Sequence, residues 1–362
     1  MINVLLVIIA VLLFGFIIFI HEFGHFFVAK ACGIKVNEFA IGMGPTLFHF
    51  QKGETRYALR LLPIGGFCAM EGEDEESDDD RAFNRKPVWK RALVVVMGAI
   101  MNVVLGLILM MIILGQQPYF ASTTVSRFAT GEDGAAVPTQ ESGLQVGDEI
   151  ISVNGYAVMC DRDLSFALMT DKDFTVDMTV RRNGETVELP QVRFGTQTAE
   201  DGTVSMVLDF YVLPIEKNFG TMITQSFNYT VSTVRMVWAS LIGLLTGQYG
   251  LNDMAGPVGV AQAIGQAAST GLEVNFAAAV NNILMIMVIF TVNLGVVNLL
   301  PIPALDGGKL VFLLIEGIRR KPINPKYEGW ISAAGFALVI GLMLVVTFSD
   351  VLRLFTGQGL GG

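Results

Sequence analysis

The sequence predicts an α-helical polytopic membrane protein with four transmembrane helices, a membrane-associated β-hairpin and an inserted α+β domain. Three observations predict it. The 362 residues are 52% hydrophobic and only 16% charged, with a mean hydropathy of +0.56, which is too apolar for a chain that folds in water alone. Four runs are long and uncharged enough to cross a bilayer core of about 30 Å. Between the second and third runs lies a long stretch, 115–276, whose first part carries the alternation and turn residues of a water-exposed domain.

The first run, residues 2–20, has only Asn3 against it and extends to about residue 22. It lacks a basic leader and a small-x-small cleavage site, so a retained span is expected rather than a signal peptide. Next, 36–70 alternates apolar and polar residues around a Lys-Gly-Glu turn at 52–54, the pattern of a hairpin. The acidic run 71–80 reads as a solvated flexible linker. Residues 92-ALVVVMGAIMNVVLGLILMMIIL-114 form the second span, 277–300 the third and 330–348 the fourth. Segment 219–246 is apolar but carries Gln225, Asn228 and Arg235, which suits a helix lying on the membrane surface. The expected divisions are 1–114, 121–213, 214–276 and 277–362.

Charge gives the orientation. Segment 30–91 carries ten Lys and Arg residues, and Arg319, Arg320, Lys321 and Lys326 cluster in one short loop. Segment 115–276 carries eight over a far longer stretch. Positive residues stay on the cytoplasmic side, so 115–276 and both termini are expected outside. The net charge of −9 excludes a nucleic-acid partner. Cys32, Cys68 and Cys160 are odd in number and show no pairing or CxxC pattern.

The chemistry sits in 21-HEFGH-25. On a helix His21 and His25 share one face, about 6 Å apart along the axis, so both imidazoles can reach one cation. Glu22 is placed to hold a water beside that cation. This is the H-E-x-x-H arrangement of zinc peptidases. The alternative is an interfacial cluster of snorkelling side chains, but ionisable groups at membrane depth default to function. A catalytic zinc needs a third protein ligand. His49 lies in the hairpin, and Asp253 and Glu316 flank apolar segments without special context. Asp306 is the best candidate: Pro301 and Pro303 break the third apolar segment before it and Gly307-Gly308 follow. Irregular backbone at membrane depth is tolerated where it lines a cavity or is buried in protein. A solvated aspartate in a re-entrant turn is the competing reading. Asn298 is either a donor to the reacting carbonyl or substrate, or a cap for the broken helix. Pro301 and Pro303 leave carbonyls free for a substrate strand.

These residues together resemble the site-2 protease family of intramembrane zinc metalloproteases, in the bacterial branch that includes the regulator of sigma-E protease. HEFGH at 21–25 matches its H-E-x-x-H, 304-ALDGG-308 its L-D-G element, GAIMN at 98–102 its G-x-x-x-N, and AGPVGV at 255–260, expected as a turn, the segment after its PDZ insert. The run 142-SGLQVGDEIISVNGYAV-158 resembles a PDZ domain, with strands expected at 174–181 and 186–193 and a short helix at 161–169. A single PDZ unit is visible, as in the Gram-positive members, where proteobacterial members carry two. The resemblance implies Zn²⁺ on His21, His25 and Asp306 with Glu22 as catalytic base, in a bacterial plasma-membrane protein; the first and third spans, both expected to run from outside to inside, put these residues near the cytoplasmic side. It implies cleavage of single-span membrane substrates, pre-cleaved outside, with the PDZ unit as an access filter. Anti-sigma factors and remnant signal peptides are the substrate classes it suggests. A membrane-tethered PDZ scaffold would leave the histidine cluster unexplained, and a zinc transporter would have no use for Glu22 or the PDZ unit.

Overall fold

The structure is a computed structural model and describes residues 2–356 apart from 74, 76, 131–134, 172, 199–203, 251–253 and 322. In chain order its elements are α1 (Ile2–Ala31), β1 (Val36–Lys52), β2 (Thr55–Met70), α2 (Val88–Leu114), β3 (Tyr119–Phe128), α3 (Pro138–Glu141), β4 (Glu149–Val153), β5 (Tyr156–Ala157), α4 (Asp161–Met169), β6 (Thr175–Arg182), β7 (Glu185–Arg193), β8 (Gly195–Thr198), β9 (Val204–Val207), β10 (Phe210–Glu216), α5 (Phe219–Leu245), α6 (Pro257–Val274), α7 (Phe276–Asn298), α8 (Asp306–Arg319) and α9 (Pro325–Thr356). Among the described residues four stretches are long and apolar enough to cross a membrane: Val11–Ala31, Val88–Leu114, Phe276–Asn298 and Lys326–Arg353. The chain is therefore a multi-pass membrane protein with β elements. It divides into two compact units, Met1–Leu109 with Val237–Gly362, and Met110–Met236.

Four expectations are corrected. Helix α1 does not end at the histidine cluster but runs on to Ala31, because Phe23, Phe26, Phe27, Val28 and Ala29 keep it apolar. His25 thus lies about 9 Å of helix rise from the last residue, at 1.5 Å per residue. The AGPVGV segment is not a turn: Gly256 caps α6 and Pro257 takes its first position, where a missing N–H costs nothing. Asp306 does not sit within the break after α7 but opens α8. The acidic run is tethered rather than free. Lys35 Nζ lies 3.3 Å from Glu71 and 3.2 Å from Asp79, and Lys309 Nζ lies 2.7 Å from Glu73.

The hairpin folds over on itself. Residues 36–41 pair on one side with 66–70, as in Phe39 opposite Cys68, and on the other with 56–59, as in Phe39 opposite Tyr57. Residues 46–52 pair in turn with 55–60. The spatial order is therefore 46–52, 55–60, 36–41, 66–70. Gly42, Gly44 and Gly65 carry positive φ values of 84°, 84° and 86° where the strands bend, conformations that favour glycine. Ile41, Met43, Leu47, Phe48, Phe50 and Leu59 are exposed along this sheet.

In the unit Met110–Met236, strands run in the order β10-β3-β4-β6-β7, with β5 beside β4 and a separate β8–β9 pair. Asn154 and Gly155, with φ of 48° and 76°, make the two-residue turn from β4 into β5, since both central positions of such a turn need positive φ. Inward residues Val125, Ile150, Val153, Val176, Met178 and Val180 form the core with Leu164 and Leu168 of α4. Helix α4 is fastened to α5 by buried Asp163. That side chain takes hydrogen bonds from the Met159 N–H (2.9 Å) and Ser232 Oγ (2.8 Å) and pairs with Arg235 Nη1 at 3.2 Å.

Candidate metal centre

In the other unit, α1 and α2 pack closely at Gly24, where a Cβ would lie 2.5 Å from the Met97 carbonyl oxygen and 2.8 Å from Met101 Cγ. Small residues permit such contact between membrane helices. This brings the polar face of α1 against α2. His21 and His25 are both buried, and their rings meet edge to face at a centroid distance of 4.8 Å. Gly98 is required at this point, since a Cβ there would overlap both imidazoles.

Helix α8 supplies the third group. After α7 ends at Asn298, residues 299–305 form a tight non-helical link, with Ala304 at φ 81°. The link crosses directly over the first turn of α8. A Cβ on Gly307 would overlap the Leu299 and Leu300 carbonyls, and one on Gly308 would lie 2.9 Å from Pro303 Cα. The glycines therefore let the link fold down on the helix start. A carboxylate in the first turn is favoured by the helix dipole, and Asp306 occupies that turn. Its Oδ2 lies 3.1 Å from His21 Nε2 and 3.4 Å from His25 Nε2, and the two Nε2 atoms are 3.2 Å apart. Oδ2 is buried and makes no hydrogen bond among the described residues.

Asn298, the last residue of α7, aims its Nδ2 at His21 Nε2 from 3.4 Å. Glu22 is half-buried, within electrostatic reach of His25, His21 and Asp306. A Cβ built on Gly66 would lie 3.5 Å from Glu22 Cγ, so the outer strand of the folded hairpin passes beside this carboxylate. Pro301 is exposed and Pro303 half-buried, with Pro303 against Gly308 of α8 and Gly335 of α9 rather than at the three ligand atoms. His49 is exposed on the hairpin opposite Ala58. Glu316 pairs with Arg91, and Asp253 lies outside the described residues.

Residues 9–342 match the model of Peptidase family M50. A protein of Clostridium perfringens whose name describes a zinc metalloprotease is 38% identical over 352 residues, 96% of this chain and 98% of its own. Zinc metalloprotease RasP of Shouchella clausii is 32% identical, covering 98% of this chain and 100% of its own. Regulator of sigma-W protease RasP of Bacillus subtilis is 30% identical, covering 95% and 98%. The chain belongs to peptidase family M50, the site-2 protease family. Like its M50 relatives it is a metalloprotease, and its cofactor is Zn²⁺.

The cluster suits that ion. Zinc takes nitrogen and oxygen ligands at about 2.0–2.2 Å in tetrahedral sites, and a tetrahedron of that size has edges of about 3.4 Å. The three pairwise distances of 3.1, 3.2 and 3.4 Å are close to such edges. A buried carboxylate oxygen with no donor is the kind of atom a cation completes. Two imidazoles and one carboxylate also leave a fourth position open, as a catalytic ion needs.

Three groups in this M50 site were not read from the sequence as parts of it. The Val94 carbonyl accepts from His25 Nδ1 at 2.9 Å, and a main-chain acceptor has no sequence signature. Gly98 and Asn102 stand in the G-x-x-x-N run, whose spacing alone assigns neither a role at the cluster. A polar side chain inside an otherwise apolar span was the signal that could have drawn attention to Asn102.

Proposed function

We propose that the chain is an intramembrane endopeptidase that cuts single-span membrane proteins within or beside their membrane segment. In this reading His21, His25 and Asp306 hold the Zn²⁺ and Glu22 is the general base and acid. The observation that carries it is the convergence of two Nε2 atoms, on a helix apolar enough to span a bilayer, with the donorless Asp306 Oδ2 at the start of α8. Bound there, zinc supplies Lewis acidity for activating water and polarising a carbonyl. Glu22 takes the proton from the attacking water and passes it to the departing amine nitrogen. The Asn298 amide donates to the carbonyl oxygen as charge gathers on it.

Helical substrate hides its carbonyls in intrahelical bonds, so it must unwind before it is cut. Among the described residues strand 66–70 pairs only with 36–41, and it runs past Glu22. An extended segment added to its free edge would lie beside the base. The backbone at Pro301 and Pro303 offers further pairing. The excess of Lys and Arg in 30–91 and 319–326 supports a cytoplasmic hairpin and outer termini. Residues 121–213 form a PDZ-like domain on the outer side, where they act as a filter that admits substrates already shortened by an earlier cut. The name of the Bacillus relative supports a regulatory membrane substrate such as an anti-sigma factor; remnant signal peptides share the required form.

Metal analysis and cleavage of a model membrane span by the detergent-purified protein test this. Native protein should carry about one zinc per chain, and Glu22→Gln should keep the zinc and lose cleavage. Robust cleavage by Glu22→Gln would remove Glu22 from the mechanism, and a native protein without zinc would remove the ligand assignment.

A further inference from the structure

Both histidines face the same chemical constraint, and the structure shows how one of them meets it. An imidazole that binds a metal through Nε2 must carry its proton on Nδ1, and that N–H then needs an acceptor. For His25 the acceptor is the Val94 carbonyl, 2.9 Å from Nδ1. A carbonyl can only accept, so the tautomer of His25 is fixed with Nε2 free to bind.

For His21 the neighbour at Nδ1 is Asn102. Its Nδ2 lies 3.2 Å from His21 Nδ1, while its Oδ1 is buried without a partner. Asn102 is fully buried. Thr291 Oγ donates to its main-chain carbonyl at 3.0 Å, and its Cβ packs against Gly295 of α7. Backbone and Cβ are thus held while the amide can still turn over. An amide that donates to Nδ1 would force the His21 proton onto Nε2 and abolish its lone pair. The two ends of an amide are nearly the same shape. Turning it over places the partnerless Oδ1 on Nδ1–H and leaves Nε2 free. We infer that Asn102 is a positioning residue that holds His21 in its metal-binding tautomer by accepting the Nδ1–H bond through Oδ1. The inference rests on the zinc-ligand reading above.

The test separates an acceptor from a space-filler. Asn102→Asp keeps the shape and can only accept; Asn102→Leu keeps similar volume and accepts nothing. Purified detergent-solubilised proteins are titrated with a zinc chelator, and the metal-depleted proteins are loaded with Co²⁺ and read by visible absorption. Asn102→Leu should lose about 10–100-fold in zinc affinity, the usual effect of removing a ligand's hydrogen-bond partner, with a weakened or shifted Co²⁺ band. Asn102→Asp should hold zinc within a few-fold of native. Equal affinity in native and Asn102→Leu, or equal loss in Leu and Asp, would overturn the inference. Native protein that takes up neither Zn²⁺ nor Co²⁺ would instead overturn the ligand assignment beneath it.

Discussion

Two aspartates, one in each compact unit, each with a buried carboxylate oxygen, show how a membrane enzyme's acids divide by their partners. Asp163 is wholly buried at the start of α4. It is surrounded by donors: the Met159 N–H, Ser232 Oγ and Arg235 Nη1 within 3.2 Å, and Tyr156 OH at 3.4 Å. Asp306 opens α8 with an oxygen that no hydrogen bond satisfies, facing two imidazole nitrogens. Burying a carboxylate is costly unless it is paired. Asp163 is compensated by protein and serves to hold a helix in place. Asp306 is left for something the chain must acquire. Burial alone does not mark a functional acid; the unanswered acceptor does.

Replacing each acid by alanine should therefore give opposite phenotypes. Asp306→Ala has the largest expected effect. Losing a zinc ligand should remove most bound metal and lower cleavage of a model span by on the order of 10³-fold or more. The metal-free fold should change by less than about 1 kcal/mol, because the side chain removed had no donor to strand. Metal analysis, cleavage and chemical denaturation in detergent read these in turn. A metal-free protein destabilised as strongly as it is inactivated would mean that Asp306 is a structural acid, and the comparison would fail.

Asp163→Ala should do the reverse. It strands the Ser232 hydroxyl and the Met159 amide and takes one partner from the Arg235 guanidinium, which keeps the Ala157 carbonyl; leaving buried donors unsatisfied costs about 1–3 kcal/mol each. Hydrogen exchange should quicken across α4 and the facing part of α5, while zinc content stays at the native level. Loss of zinc in this variant would show that the two acids are not independent.

The sequence carried the two acids unequally. The spacing of His21 and His25 and the Pro-and-Gly frame around Asp306 singled out the metal cluster, because a ligand set leaves a mark in residue type and periodicity. Asp163 has no such mark, since its partners Ser232 and Arg235 lie about 70 positions away and show no pattern with it. The four spans were legible from apolar length alone. What failed were ends and continuations. Phe23 to Ala29 carried α1 past His25, and Pro257 began a helix where Gly and Pro suggested a turn. In each case packing or a tolerated first-turn proline outweighed the local signal. The fold-over of the hairpin was also hidden, because alternation records which face a residue takes and not which strand it meets.

A third kind of acid gives the smallest effect. Glu71 and Asp79, in the run first read as free linker, are held by partners at the surface. Hydrogen bonds from Ser77, Asn37 and Lys35 lower the Glu71 pKa. The Arg81 amide and Lys35 lower that of Asp79, and the same contacts raise the pKa of Lys35. The signs fix the pH window. A carboxylate with a depressed folded pKa stabilises above its ordinary value and loses that stabilisation as pH falls through the folded value. The ordinary values are 4.5 for Glu71 and 3.8 for Asp79. Acidification should therefore leave the tether intact down to about pH 5 and release it progressively below the ordinary values. The Lys35 contribution persists until pH rises above 10.5. Exposed pairs of this kind are weak and screened by salt, so only local exchange of the amides around 71–81 should quicken, and more so at high salt. Opening of this segment already at pH 6–7 would show that these contacts do not hold it, and would return the acidic run to the flexible linker that its composition suggested.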